Sequence, residues 1–338
     1  MTTPFEISNL NDIAGLIDDL PRFDKDSAQA ATDRQNSLTK PPGALGRLEE
    51  IAIFMAGWQK TDRPKIEKAQ ALVFAGNHGI CAQGVNPFPQ EVTVQMVANF
   101  EHGGAAINQL CQANGADLSV VALDLDTPTA DFTTGPAMSE TECLDAMNEG
   151  AQAVDSASDI LILGEMGIGN STVAAALAVA VFDGEPADWV GRGTGSDDDG
   201  VIRKVDAISR GLKLHGVQNA MGILSALGGR EQAAICGAVL AARAYGIPVI
   251  LDGYICTASV APLHMAQTDL LDHCMIGHLS VEPGHQKLLA AMDKTAILNF
   301  DMRLGEGSGA ALALGIVRSA LACHNGMATF AEAQVSGG

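Results

Sequence analysis

Apolar positions follow two alternating patterns from about residue 68 onward. Short, β-branched runs in which every position is apolar alternate with longer, alanine-rich segments of helical spacing. Runs of this kind are typical of strands in a parallel sheet that helices cover on both faces. The pattern predicts a strand near Trp189 and five others, at residues 71–75, 118–125, 159–163, 249–252 and 275–279.

The order of these segments predicts an α/β fold with a doubly wound, mostly parallel, Rossmann-like sheet and right-handed crossovers. Outside that region the sequence is helical: after Gly307 and, near the start, at residues 13–20 and 45–58. We therefore expect residues 66–304 to form a nucleotide-binding α/β domain. Residues 1–65 and 305–338 would form a small helical domain built from both chain ends.

Composition excludes several classes of function. The 338 residues carry a net charge of −20, which argues against binding nucleic acid or an anionic membrane surface, because no basic stripe is present to contact phosphates. No apolar run reaches the length of a membrane span, and the first residues do not have the pattern of a signal peptide. The seven scattered cysteines include no Cys-x-x-Cys pair, as expected in a reducing compartment. These features predict a cytoplasmic protein.

Residues 304–309, LGEGSG, contain a single carboxylate among glycines, directly before an apolar helix. Glycine lets a backbone or a flat ligand approach closely, and the apolar helix leaves little water to solvate the charge. Glu306 should therefore have a raised pKa and could act as a general base near neutral pH. The alternative is that Glu306 lies in the first helical turn, where an acid interacts favourably with the helix dipole.

A glycine-rich loop at residues 191–196, GRGTGS, precedes a predicted helix at residues 201–215. Backbone N–H groups and a hydroxyl at such a position suit a phosphate, and Arg192 and Lys204 would supply positive charge. The alternative is a tight turn in which Ser196 or Asp197 caps the helix.

A second glycine-rich loop, GEMGIGNST at residues 164–172, joins a predicted strand to a helix. It matches neither the dinucleotide fingerprint nor the P-loop. Its glycines permit close approach of a nucleotide, and Glu165 could accept hydrogen bonds from ribose hydroxyls. The alternative is that Asn170 or Ser171 caps the helix.

Polar residues stand at or beyond the ends of the predicted strands, where ligands of open α/β sheets bind. They are Asn77, His78, Asp124, Asp126, Glu165, Asp252, His278 and Ser280. The spacing of His78, His273, His278 and His285 with Cys274 matches no zinc pattern, so these histidines are interpreted as loop or core residues and no metal site is predicted.

Four further motifs complete a recognisable set: SLTKPPGALGRL at 37–48, FAGNHG at 74–79, GVNPFPQEVTVQM at 84–96 and SVEPGH at 280–285. With the two glycine loops and residues 304–309, they resemble, in the same order, the nicotinate-nucleotide–dimethylbenzimidazole phosphoribosyltransferase family of cobalamin lower-ligand assembly. The resemblance covers about residues 35 to 320.

The resemblance implies a homodimer without a cofactor that converts nicotinate mononucleotide and 5,6-dimethylbenzimidazole into α-ribazole 5′-phosphate and nicotinate. It implies that Glu306 is the catalytic base and that Gln95, Met96 and Leu304 line the benzimidazole pocket. Asn86 stands where many members have serine, and Asn77 where some have aspartate. The matching phosphate and nucleotide positions are Gly193, Thr194, Gly195, Lys204, Glu165, Gly167, Asp252 and Ser280.

The chemistry agrees with these residues. Nicotinate bound through its ring nitrogen is a pyridinium, so it departs without a general acid, and one buried carboxylate can make the incoming imidazole nucleophilic. Two alternatives remain open at this point. One is a hydrolase in which Glu306 activates water, although the apolar residues Phe88, Met96 and Leu304 favour an aromatic acceptor. The other is a nucleotide-binding regulator without chemistry.

Overall fold

The computed structural model describes residues 5–193 and 195–336. Within these ranges, six strands form one parallel sheet in the order β2-β1-β3-β4-β5-β6. The strands are β1 (Ala69–Ala75), β2 (Ala116–Ala122), β3 (Ile160–Met166), β4 (Val249–Leu251), β5 (Cys274–His278) and β6 (Ala296–Leu298).

Helices connect the strands, and further helices precede β1 and follow β6. They are α1 (Lys25–Ser37), α2 (Arg47–Gln59), α3 (Glu91–Glu101), α4 (Ala106–Asn114), α5 (Glu140–Gln152), α6 (Asn170–Phe182), α7 (Asp198–His215), α8 (Ala220–Leu227), α9 (Arg230–Tyr245), α10 (Tyr254–Ser259), α11 (Ala261–Ala266), α12 (Pro283–Ala291), α13 (Ser308–Gly326) and α14 (Phe330–Ala333). Short 3-10 helices span Leu10–Asp18, Gly79–Gln83, Pro186–Asp188 and Thr268–Leu271. Among the described residues, none of these helices combines the length and apolar character needed to cross a membrane.

The sheet is buried on both faces, and alternate side chains of a strand enter different cores. In β3, Leu161 and Leu163 pack with α5, α6, α8 and α9, whereas Ile160 and Ile162 pack with α2, α4 and α13. A strand whose successive side chains are all covered needs apolar residues at every position. This confirms the predicted doubly wound α/β fold.

The five strands that were predicted with residue ranges are present, and their observed ends differ from the predicted ends by up to three residues. The strand predicted near Trp189 is wrong: Pro186–Asp188 form a 3-10 helix, and the Trp189 ring stacks on Phe182. The pattern also missed β6, where only Leu298 is buried, and α1, where the buried residues are Ala28, Ala31 and Gln35. Short or polar elements carry too weak a periodicity to be found in this way.

The two ends of the chain meet beside the sheet. Arg34 of α1 donates to the carbonyl oxygens of His324, Asn325 and Met327, and α2 packs against α13. Helix α13 also contacts β3 and β5. The division into a small domain of residues 1–65 and 305–338 stays a prediction.

Candidate active site

A cavity lies at the carboxyl ends of β3, β4 and β5, the edge that the sequence predicted. Ten predicted site residues line it: Asn86, Phe88, Glu165, Gly167, Gly193, Lys204, Asp252, Ser280, Leu304 and Glu306. Gly195, Gln95 and Met96 are described residues outside this lining, and Thr194 lies outside the described residues. The structure therefore gathers most of the predicted site from seven separate segments.

Residues 304–307 form a loop with an unusual backbone. Gly305, Glu306 and Gly307 have φ values of +84°, +63° and +82°, three successive left-handed residues of which one carries a side chain. Such a conformation is costly for glutamate and is typical of functional sites. The loop also packs directly on β3, because a Cβ at Gly164 would lie 2.5 Å from the Gly307 nitrogen. Since α13 begins at Ser308 with Gly307 as its N-cap, Glu306 lies outside the first helical turn, and the alternative that places it in that turn is wrong.

Asp252, which directly follows β4, fixes this loop to the start of α13. Its Oδ2 accepts from the Gly307 N–H at 3.2 Å and its Oδ1 from the Ala310 N–H at 2.8 Å. Two N–H groups that the helix cannot pair internally are thereby satisfied by a residue distant in sequence. Burial raises the pKa of Asp252, while the nearby His278 ring, 3.7 Å away, and the backbone N–H groups oppose the rise.

The Glu306 carboxyl group titrates near neutral pH. Its burial and, second, the Asp252 charge raise its pKa to about 7, as the sequence predicted. Across the described residues, no protein group donates a hydrogen bond to this carboxylate. Glu306 is therefore free to accept a proton from a molecule bound in the cavity.

Glu165 is a second carboxyl group, at the end of β3, in a more enclosed position. Burial, then the charges of Asp252 and Glu231, raise its pKa well above the usual value. The Asn170 side-chain amide donates to Glu165 Oε2 and so holds this acid in place. The N-cap of α6 is Gly169, so the alternative in which Asn170 or Ser171 caps this helix is wrong. A Cβ at Gly305 would lie 2.5 Å from Glu165 Oε1, so the acid touches the 304–307 loop.

Lys204 forms the cationic end of the cavity. Only 2% of the residue is exposed, and its Nζ donates to Ser171 Oγ at 3.1 Å and to the Gly191 carbonyl oxygen at 3.2 Å. Burial lowers the pKa of Lys204, and the charge of Glu282 opposes that effect. A Cβ at Gly193 would lie 3.4 Å from Lys204 Nζ, so the 191–196 loop passes directly over the ammonium group.

The structure confirms the capping interpretation of the 191–196 loop, and phosphate binding by this loop stays a prediction. Asp197 caps α7 by accepting from the Gly200 N–H at 2.7 Å, as the capping alternative predicted. Arg192 is exposed and bonds Asp198, so Lys204 is the buried cation of this loop.

The other end of the cavity is apolar and partly open. Phe88 and Leu304 are 46% and 48% exposed, and the Asn86 side-chain amide donates to the Phe88 carbonyl oxygen at 2.5 Å. Gln95 is exposed on α3, whereas Met96 is half-buried and packs against the core that contains α2 and α13. Flat apolar molecules fit between exposed aromatic and aliphatic side chains of this kind.

Several lining residues were not among the predicted site residues. They include Ser171, Tyr254, His278, Glu282 and Arg303. Glu282 lies in the motif at residues 280–285, and Arg303 directly precedes the motif at residues 304–309. Tyr254 could not be recognised from the sequence, because a buried tyrosine fits the same apolar pattern as any core residue. His78, His273, His278 and His285 are all buried, which agrees with their interpretation as loop or core residues. In residues 5–193 and 195–336, no group of three or more His, Cys, Asp or Glu side chains is arranged to hold a metal ion.

Comparison with known proteins agrees with this geometry. A family model described as phosphoribosyltransferase matches residues 20–335. A nicotinate-nucleotide–dimethylbenzimidazole phosphoribosyltransferase of Rhodobacter capsulatus is 62% identical over 331 residues, which are 98% of this chain and 99% of the relative. The chain belongs to this phosphoribosyltransferase family.

Further members of the family support the assignment. The relative of the same name from Ruegeria sp. is 55% identical over 333 residues, 98% of this chain and 99% of its own length. The crystal structure of CobT from Thermus thermophilus superposes with a TM-score of 0.86 at 38% identity, covering 93% of this chain and 100% of that one. Both the resemblance and the predicted fold class are thus confirmed.

Proposed function

We propose that this phosphoribosyltransferase moves the 5-phosphoribosyl group of nicotinate mononucleotide to 5,6-dimethylbenzimidazole. The products are α-ribazole 5′-phosphate and nicotinate, and the reaction belongs to cobalamin biosynthesis. The observation that carries the proposal is one cavity that is lined both by a carboxyl group of pKa about 7, Glu306, and by a buried lysine, Lys204. The names of the relatives support the identity of both substrates.

The phosphate end orients the donor. Lys204 and the backbone of Gly193, with Thr194 and Gly195 in the same loop, hold the phosphate as a charged handle in an otherwise acidic protein. Glu165, Gly167 and Ser280 contact the nucleoside part. Asp252, whose oxygens accept from the N–H groups of Gly307 and Ala310, positions the loop that carries Glu306.

The base end activates the acceptor. The N–H proton of the benzimidazole passes to the Glu306 carboxylate, and the other ring nitrogen forms a bond to C1′ of the ribose. The bond from C1′ to the pyridinium nitrogen breaks, and its electron pair stays on nicotinate, which leaves without needing a proton. A general base of this kind contributes about 10²–10⁴-fold, and positioning of the two rings supplies the rest.

The acceptor ring lies at the apolar end. Asn86, Phe88 and Leu304 line the cavity there. We place Gln95 and Met96 at the edge of the same ring, because α3 begins directly after the loop that carries Asn86 and Phe88. The proposal also includes a homodimer, which the family resemblance implies, and a cytoplasmic location, which the scattered cysteines indicate. No cofactor is needed for the reaction.

Product analysis tests the proposed function. The protein is incubated with nicotinate mononucleotide, with and without 5,6-dimethylbenzimidazole, and products are separated by liquid chromatography and identified by mass. We expect nicotinate and α-ribazole 5′-phosphate in equal amounts, and only when the acceptor is present. Release of nicotinate at the same rate without the acceptor would instead identify a hydrolase.

A further inference from the structure

Glu282 is a buried carboxyl group at the phosphate end of the cavity that the reaction above does not use. It directly precedes α12, and only 9% of the residue is exposed. Its Oε2 is buried without a hydrogen-bond partner among the described residues. This oxygen is pressed against the 191–196 loop, since a Cβ at Gly191 would lie 1.9 Å from it. A side chain at position 191 would displace the carboxyl group from this position.

Lys204 reaches the same short stretch of loop from α7. Its Nζ donates to the Gly191 carbonyl oxygen, while Glu282 Oε2 lies against the Gly191 Cα side. The lysine and the carboxyl group line one cavity but form no ion pair with each other in the described structure. A phosphate held by Lys204 and Gly193 would therefore have a buried carboxyl group as its neighbour.

The charged and titratable groups around Glu282 come from three elements. Lys204 on α7, Arg303 on the segment before α13 and the backbone amide of Gly193 stabilise the carboxylate form. Tyr254 on α10 is the titratable neighbour, and burial and the charge of Glu282 raise its pKa, so it stays neutral. Burial is the largest influence on Glu282 and raises its pKa despite both cations.

We propose that Glu282 couples the binding of the substrate phosphate to the uptake of one proton. The inference rests on the proposed function, which places the phosphate beside Lys204. A phosphate dianion in the 191–196 loop competes with the carboxylate for the same lysine and repels it at short range. A proton from solvent binds the Glu282 carboxylate, leaving a neutral acid beside the phosphate, and returns to solvent when the phosphate leaves.

Calorimetry measures this proton directly. Nicotinate mononucleotide is titrated into the protein at about pH 7.5, where a phosphate of second pKa about 6 is already a dianion, in two non-phosphate buffers of different ionisation enthalpy. We expect uptake approaching one proton per nucleotide and an affinity that falls up to about tenfold per pH unit above neutrality. In Glu282→Gln, which cannot titrate, the phosphate-linked uptake should disappear.

Nicotinate riboside, which has no phosphate, is the matched ligand. Glu165 and Glu306 lie in the same cavity, and protons that they take up would accompany both ligands. Equal proton uptake with nucleotide and riboside in the unmodified protein would overturn the inference, as would unchanged uptake in a folded Glu282→Gln variant. The comparison of ligands needs no variant, so it decides the matter even if Glu282→Gln does not fold.

Lys204→Met separates this inference from the proposed function. If the phosphate binds at the 191–196 loop, this variant loses affinity for the nucleotide but not for the riboside. Unchanged affinity for the nucleotide would place the phosphate elsewhere, so the assignment of Lys204 to the phosphate and the role of Glu282 would both fail, whereas the transfer reaction itself is decided by the product analysis. Lost affinity together with equal proton uptake for the two ligands would overturn only the role of Glu282.

Discussion

The two ends of the cavity hold buried groups of opposite charge in different ways. At the base end, Glu306 receives no hydrogen bond from any described residue, and its pKa rises to about 7. At the phosphate end, Lys204 is more deeply buried, yet two neutral oxygens, Ser171 Oγ and the Gly191 carbonyl, accept from its ammonium group. Burial disfavours the charged form of both groups. The ammonium group of Lys204 has hydrogen-bond acceptors that stabilise its charge, whereas the Glu306 carboxylate has, within the described part of the chain, no hydrogen-bond donor that stabilises its own.

This difference matches the role that we propose for each group. A general base has to exchange a proton near neutral pH, so an unsatisfied carboxylate is suitable. A phosphate-binding cation has to keep its charge, so it needs acceptors that do not neutralise it. Substitutions at the two ends should therefore change different kinetic constants.

The largest effect is expected at the base end. Glu306→Gln keeps the shape of the side chain but cannot accept a proton, so kcat should fall about 10²–10⁴-fold with little change in nicotinate mononucleotide binding. Steady-state kinetics and calorimetry measure the two quantities, with the exposed acid Glu149→Gln of α5 as the control. Turnover within threefold of the unmodified protein would remove Glu306 from the role of base.

A smaller effect on a different constant is expected at the phosphate end. Lys204→Met keeps the length of the buried chain but removes the charge, so nucleotide affinity should fall about ten- to hundredfold, the range for a hydrogen bond to a charged group. The Kd from calorimetry checks this, with exposed Lys213→Met on the same helix as the control. A selective loss of kcat at unchanged Kd would contradict the contrast between the two ends.

The smallest effect concerns the acceptor. Met96→Ala should raise KM for dimethylbenzimidazole a few-fold and KM for unsubstituted benzimidazole less, because the methyl groups use more of the apolar surface. Competition between the two acceptors measures the ratio. An equal rise for both would show that Met96 acts only through its packing against the core that contains α2 and α13.

Much of this architecture could be predicted from the sequence because every position of its buried strands is apolar. The same pattern missed β6, which is only three residues long and has two half-buried side chains. It also predicted a strand near Trp189, where buried apolar residues follow a short 3-10 helix instead. The glycines of residues 164–172 and 191–196 indicated that these two loops contribute to the site. The pattern could not show that Glu306 has φ of +63° or that Asp252 fixes its loop, because tertiary packing decides both. The unpaired oxygen of Glu282 likewise appears only when α12 meets the 191–196 loop.

The dependence of kcat/KM on pH tests the central claim that Glu306 is a base poised near neutrality. The constant is measured for dimethylbenzimidazole at saturating nicotinate mononucleotide, so it reports the protonation of the base before the acceptor binds. Because the carboxylate is the active form, kcat/KM should rise with pH through about 7 and then level off, the midpoint following the raised pKa. In Asp252→Asn the neighbouring negative charge that raises this pKa is lost, so the midpoint should move to lower pH. A kcat/KM that is flat from about pH 5.5 to 8.5, measured where the protein stays folded, would contradict the claim.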